Sequence, residues 1–342
     1  MYKVAFYPFT NKTNEYINII KQCIEMQNIE VLDYEEAVKN NTIKEVDAVY
    51  LNWFEDVKLK NMGERIKSLL FFKRHNIKIV YVFHNKRSHD GKAQFIRKIF
   101  LDTMLRMADT IVVLSKASIE FLPFNCRAKA VCVPHPNYIN SYSGEELPVQ
   151  NKNDSGELKL LFVGAVRPYK NIELLISAFN IVCEKYDKIS LTIAGKAIDR
   201  GYEEKILALI GENKRIKTDF RFIPDDEMAH LIGQHDILVL PYDIKSGLNS
   251  GTVMLAFSFA RTVVASRIAT IKEFDLDLTY SYEYRTEEEH GKMLCEQLEK
   301  VAHDYYCNPE SISQKGFKLY QLVSENNGIE SISLIYGEIF RK

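Results

Sequence analysis

Two strand-to-helix turns in the second half of the chain carry residue types suited to holding an anion. In FVGAVRPYKN an apolar run ends at Gly164, and Arg167 and Lys170 follow in a turn that opens a helical pattern. In LPYDIKSGLNSGTVML a second run ends near Pro241, and Ser250, Gly251 and Thr252 open an almost wholly apolar helix. A helix start presents unpaired backbone N–H groups and the positive end of the macrodipole, and glycine lets an anion come close to them. A guanidinium and an ammonium from the first turn would complete a diphosphate site. Singly, each feature has a plainer reading: Ser250 as an N-cap, Gly247 as a turn glycine, Arg167 and Lys170 as surface charges. Their occurrence at equivalent points of one α/β unit favours phosphate.

The first half offers histidines instead. His84 and His89 in VFHNKRSHD and His135 in VPHPNY each follow a plausible strand, where a lone histidine is more often packed or hydrogen-bonded than reactive. His84, His89 and Asp90 are metal-binding residue types, but their spacing fits no usual motif, and no metal is expected. The Asp275 to Asp277 tripeptide DLD resembles a metal-binding motif of a different fold; chance produces it easily, and its late position fits poorly.

These residues need elements to position them. YKVAFYP, VDAVYL, IKIVYVF and TIVVL are short β-branched runs, separated by helical spacing such as Ile66, Leu69, Leu70 and Phe72. From Asn140 to Gly156 the chain turns polar and rich in turn formers, the best linker candidate. The alternation then restarts: LKLLFV, a helix from Asn171 with Ile172, Leu175, Ile176, Phe179 and Val182 on one face, and ISLTIAG. A helix near Glu203 to Ile210, the short FRFIP, a helix capped by Asp225, and DILVLP follow. Strands alternating with helices predict an α/β protein of two Rossmann-like, doubly wound domains, 1–145 and 156–325, with the ligand in a cleft between them at the strands' carboxyl ends. The segment 326–342 reads as a terminal helix with Ile332, Ile335, Tyr336 and Ile339 on one face.

Bulk properties agree. A chain of 342 residues exceeds one ordinary core, and 46% hydrophobic with 27% charged residues describes a globular protein. The longest apolar runs fall short of a membrane span, and MYKVAFYPF reads as a first strand rather than a leader. Six cysteines without a C-x-x-C pair read as reduced thiols of a cytoplasmic protein. The net charge of −1 conceals 16 Lys or Arg against 5 Asp or Glu from Lys58 to Lys129. That stretch is either a solvated basic face or a surface for anionic lipid or a phosphate-bearing ligand. No recognition motif accompanies it, so nucleic acid is not expected as a partner.

The segments LLFVGAVRPYKNIELLISAFNIV, IPDDEMAHLIGQHDILVLPY and SGTVMLAFSFARTVVAS together resemble the nucleotide-sugar domain of the GT-B glycosyltransferases, family 4 type. VYLNW, VFHNKRSHD and VPHPNY resemble that family's acceptor domain. The resemblance implies that Arg167 and Lys170 contact a donor diphosphate with Gly164, Ser250, Gly251 and Thr252. It implies that His84 lies beside the donor sugar as a catalytic residue. If the reaction inverts, a carboxylate or histidine of the first half must serve as base, and Asp90 and His89 are nearest to His84 in sequence; Asn85, His89 and His135 are placed on the acceptor or sugar side. The donor would be a UDP- or GDP-linked sugar, with no further cofactor. The last helix of resembling enzymes crosses back to the first domain; helical spacing alone fits equally a cap on the second.

One departure stands out. Many family members carry two glutamates eight positions apart, and alignment puts those positions at Gly247 and Leu255. The chain is similar instead to a branch with a Ser-Gly pair in the loop. The implied activity is transfer of a sugar to a glycan or lipid-linked acceptor of bacterial surface polysaccharide or glycolipid, at the inner membrane face. A nucleotide-sugar epimerase or phosphorylase of the same architecture, or a non-catalytic binding or scaffold subunit lacking the glutamates, are the alternatives.

Overall fold

The computed structural model describes residues 1–10, 15–85, 94–142, 156–245 and 247–341; His89, Asp90 and most of the polar stretch 140–156 lie outside them. The chain forms two compact units, Met1–Pro136 with Asn326–Lys342, and Asn137–Glu325. The division precedes the polar stretch because residues 137 and 138 already belong to the second core. There Asn137 Nδ2 donates to Val323 O (2.8 Å) and Tyr138 N to Ser258 Oγ (2.8 Å).

In the first unit the order is β1 (Tyr2–Tyr7), α1 (Tyr16–Glu25), β2 (Ile29–Asp33), α2 (Tyr34–Lys39), β3 (Ala48–Asn52), α3 (Met62–Arg74), β4 (Lys78–Phe83), α4 (Gln94–Met107), β5 (Thr110–Val113) and β6 (Ala130–Cys132). The six strands are parallel in the order β2-β1-β3-β4-β5-β6, so the order reverses once, between β1 and β3. Central strands are covered on both faces and are accordingly apolar throughout: every residue of β3 is buried. The edge strands β2 and β6 are mostly half-buried and lack that signature, and neither stands out in the sequence. On α3, Met62, Leu69 and Phe72 pack inward while Leu70 faces out, a rotation of about 100° from Leu69.

The second unit runs β7 (Leu158–Val163), α5 (Ile172–Lys185), β8 (Ile189–Ala194), α6 (Arg200–Ile210), β9 (Ile216–Asp219), α7 (Asp225–Gly233), β10 (Ile237–Leu240), α8 (Gly251–Ser258), β11 (Thr262–Ser266), β12 (Tyr280–Tyr282), α9 (Glu287–Cys307) and α10 (Glu310–Asn326). Its parallel sheet has the order β12-β11-β10-β7-β8-β9, with the reversal between β7 and β10. The apolar face expected on α5 is buried in full. Two local expectations fail. The third strand is IKTD at 216–219, upstream of FRFIP, which forms the loop at its carboxyl end. Asp225 is the first residue of α7 and not its cap; Pro224 holds the cap position, with no side-chain bond.

The last helix, α11 (Ile329–Arg341), lies on α1 within the first unit. Tyr336 Oη and Tyr50 Oη share a buried hydrogen bond of 2.6 Å, and Gln27 Nε2 donates to Ser333 Oγ (3.3 Å). Gly337 permits the approach: a Cβ there would stand 2.4 Å from Gln27 Oε1. Among the described residues all six cysteines are free thiols, and no helix is long and apolar enough to cross a membrane.

Candidate functional site

In an open parallel sheet, ligands gather at the strands' carboxyl ends where the order reverses, because helices to either side leave a crevice there. In the second unit that point lies between β7 and β10, and the two turns expected to hold an anion are the segments that follow those strands. β7 ends at Gly164, whose φ of +134° excludes other residues and where an added Cβ would meet no atom within 4 Å. The space beside this backbone is therefore open. Gly195, after β8, has φ +131°, and a Cβ on it would stand 1.9 Å from Gly164 O, so both strand ends must be bare.

The turn after Gly164 sets its cations by backbone geometry. Arg167 is extended (φ −139°, ψ 153°), Pro168 opens a single 3-10 turn, and Asn171 closes it in the left-handed region (φ +56°). From there Asn171 Nδ2 donates to Pro241 O (2.8 Å), tying this turn to the end of β10. Lys170 Nζ stands 3.6 Å from the centre of the Tyr242 ring, a cation–π contact that aims the ammonium along the second turn. Among the described residues neither Arg167 nor Lys170 has an acidic partner, and the Arg167 guanidinium makes no hydrogen bond. The Tyr242 hydroxyl is buried and likewise unpaired.

The second turn ends in a conventional cap. Ser250 Oγ accepts from Val253 N (3.3 Å), and its own N–H donates to Thr270 Oγ1 (3.1 Å). The cap thus serves the third residue of α8 and leaves the N–H groups of Gly251 and Thr252, both half-buried, without an acceptor among the described residues. Leu255, at the position of the second family glutamate, is packed in the core on α8. Two cations, two backbone donors and an open glycine strand end meet the requirements of a diphosphate.

In the first unit the reversal between β1 and β3 is spanned by Asn52, at the end of β3. Its Nδ2 donates to Tyr7 O (3.1 Å), a carbonyl that can only accept, so its Oδ1 faces His84 Nε2 at 3.0 Å. His84 therefore carries its proton on Nε2 and a lone pair on Nδ1. The imidazole is stacked on Trp53 (4.2 Å, 18°), itself held at φ +46°, and meets the edge of Tyr16. Burial, with the neighbouring His135 second, lowers the His84 pKa to about 3. His135 approaches the other side of Tyr16 (5.4 Å), pairs through Nδ1 with Pro136 O (3.0 Å), and is lowered to about 4 by burial. Both rings are neutral at physiological pH. Asn85 follows His84, half-buried. No group of acidic, histidine or cysteine side chains suited to a metal occurs among the described residues.

Residue type and spacing do not mark Asn52, Trp53, Tyr16 or Tyr242 as site residues, and mark Asn171 only as a helix start. Asn171 and Asn52 carried a signal, since asparagine tolerates the left-handed turn and an amide ending a strand can bridge its neighbours. The aromatics carried none, being indistinguishable from core residues.

Residues 157–302 match the family model described as glycosyl transferases group 1. A curated relative, GDP-mannose:glycolipid 4-beta-D-mannosyltransferase of Xanthomonas campestris pv. campestris, is 31% identical over 107 residues. That alignment spans 31% of this chain and 30% of the relative's length. Among solved structures, Anabaena HepE in complex with UDP and glucose covers 100% of both chains at a TM-score of 0.72 and 12% identity. Sucrose-phosphate synthase from Thermosynechococcus elongatus covers 100% of this chain and 98% of its own at 0.76 and 13%. At such identities the structural likeness speaks for the GT-B fold.

Proposed function

We propose that this chain, whose residues 157–302 match the model of the group 1 glycosyl transferases, transfers a sugar from a nucleoside-diphosphate donor to a lipid-linked or glycan acceptor. The observation that carries this reading is the pair of turns flanking the β7/β10 reversal, joined by Asn171 and offering cations without an acidic partner and N–H groups without an acceptor among the described residues.

In glycosyl transfer, positive charge grows on the sugar ring while negative charge grows on the departing diphosphate. Arg167, Lys170 and the N–H groups of Gly251 and Thr252 stabilise that leaving group, and because they are fixed before the reaction, little reorganisation opposes them. The first unit serves the acceptor and sugar. His84, neutral and held by Asn52 with its proton on Nε2, stands on the sugar side; a pKa of about 3 makes it a weak base. If configuration is retained, the leaving phosphate takes the acceptor proton. If it is inverted, the base is a carboxylate such as Asp90.

GDP-mannose and a glycolipid acceptor are the pair to test first, since the curated relative is named for them; UDP-sugars come next. A surface-polysaccharide role follows from such an acceptor. The test is a thermal-shift screen of UDP, GDP, CMP and their sugars with and without magnesium, followed by release of free nucleotide in the presence of acceptor. An upward shift with one diphosphate nucleotide, lost in Arg167→Ala, supports the donor site; no shift with any of them removes it. Gly247 and Leu255, where the family often has glutamates, favour a second reading, a binding subunit. That reading requires a thermal shift with no turnover under any donor and acceptor pair.

A further inference from the structure

We infer that an exposed apolar face on the first two turns of α4 is a docking surface for an anionic lipid bilayer, an inference that rests on the lipid-linked acceptor proposed above. α4 packs Phe100, Met104 and Leu105 inward, yet also exposes Phe95 (75%), Ile96 (54%) and Ile99 (50%). The helix is thus apolar on two sides, and the unit's core covers only one. Arg97 Nη1 donates to Val57 O (3.2 Å), fastening this turn to the segment where Leu59 (44% exposed) stands between exposed Lys58 and Lys60.

The basic stretch 58–129 is not a uniform face. Arg65 is spent on Tyr7 Oη, Lys73 on Asp109, Arg127 on the carbonyls of Glu120 and Leu122, and Lys129 on those of Arg106 and Ala108. The side chains of Lys58, Lys60, Lys98 and Arg106, by contrast, are exposed and have no partner among the described residues. Lys58 and Lys60 flank Leu59 and Lys98 lies within the apolar turns of α4, while Arg106 stands about 10 Å further along the helix; the acids on the same segments are Asp56, exposed, and Asp102, half-buried. Large apolar tips rimmed by unpaired lysines match the interfacial zone of a membrane, where the tips enter the acyl boundary and each cation is drawn to anionic headgroups. A neutral protein partner would leave that charge unanswered.

Vesicle flotation tests the inference, comparing phosphatidylcholine alone with phosphatidylcholine and phosphatidylglycerol mixed. The protein is expected to float with the anionic vesicles only, less so at high salt, and F95S/I99S is expected to weaken this about tenfold or more. The variant keeps its melting midpoint and its stabilisation by a nucleoside diphosphate, because neither side chain belongs to the core. Phe95→Trp supplies a second measurement, a blue shift of its fluorescence on adding anionic vesicles. Equal flotation by wild type and F95S/I99S, no flotation by the wild type, or a wild-type dimer that the variant abolishes would each overturn the inference. Absent flotation together with intact nucleotide stabilisation would remove the docking surface and leave the donor site standing.

Discussion

Each sheet reverses its strand order once, and at each reversal an asparagine amide donates across the gap to a carbonyl. In the first unit it is Asn52 to Tyr7 O, in the second Asn171 to Pro241 O. The surroundings of the two amides differ in kind. Asn52 is wholly buried, its oxygen is taken by His84, and aromatic rings pack the histidine into a neutral state. Asn171 sits beside an open glycine, Arg167, Lys170 over the Tyr242 ring, and two helix-start N–H groups that have no acceptor among the described residues. One reversal has its polar groups satisfied from within, while the other holds donors in reserve for a ligand. A shared fold feature therefore holds one histidine rigidly in the first case and, in the second, leaves the donors that the proposed diphosphate site requires.

The sharpest way to break the comparison is to remove the reserved cations. Arg167→Ala or Lys170→Ala is expected to lower sugar transfer about 10²- to 10³-fold, with the melting midpoint unchanged, as read by nucleotide release and a thermal scan. A large loss of stability in either variant would mean that these charges are structural after all. Asn52→Ala should do the opposite. It leaves Tyr7 O and His84 Nε2–H unpaired in a buried site, costing about 1–3 kcal/mol of stability in denaturant titration.

A smaller effect is set by pH. The folded pKa of His84, about 3, lies below its ordinary 6.5, so the unfolded chain binds the extra proton first. Stability is full above pH 6.5 and falls as the pH drops from there toward about 3, by about 1.4 kcal/mol per pH unit for each such histidine. His135 adds a similar share down to about 4. His84→Gln should flatten the decline between pH 6.5 and 5; an unchanged slope would mean the ring is not held neutral. The smallest expected change is Tyr242→Phe. The buried hydroxyl has no partner to lose, so stability should stay within about 0.5 kcal/mol, while any drop in nucleotide affinity would mark that hydroxyl as a ligand contact.

The doubly wound character of both halves could be read from the apolar central strands, since burial on two faces leaves an unbroken run such as IKIVYVF. The edges could not: β6 is three half-buried residues, and β9 has a polar KTD within it. The two phosphate-suited turns were visible because glycine, a capping serine and paired cations are types with narrow uses. What joins them was not visible, because Asn171 meets Pro241 O only once β10 lies beside β7, a neighbour relation 70 residues apart. The histidines were found, but their neutrality comes from the burial around Trp53 and Tyr16, which spacing does not encode.

The segment from Asp243 to Asn249 is moored at both ends. Upstream, Pro241 O is held by Asn171; downstream, Thr270 N donates to Leu248 O (3.2 Å) and Ser250 N to Thr270 Oγ1. Between those moorings Ile244 N donates to Tyr284 Oη (3.0 Å) and Gly247 N to Asp243 O (2.9 Å), so a change of length must replace these bonds, while loop closure itself costs little because it grows only logarithmically with residue number. The helix start at Gly251 and Thr252 and the loop before it are in that sense held by different bonds. A change of sequence between Tyr242 and Leu248 is therefore expected to leave the Asn171–Pro241 and Ser250–Thr270 bonds in place.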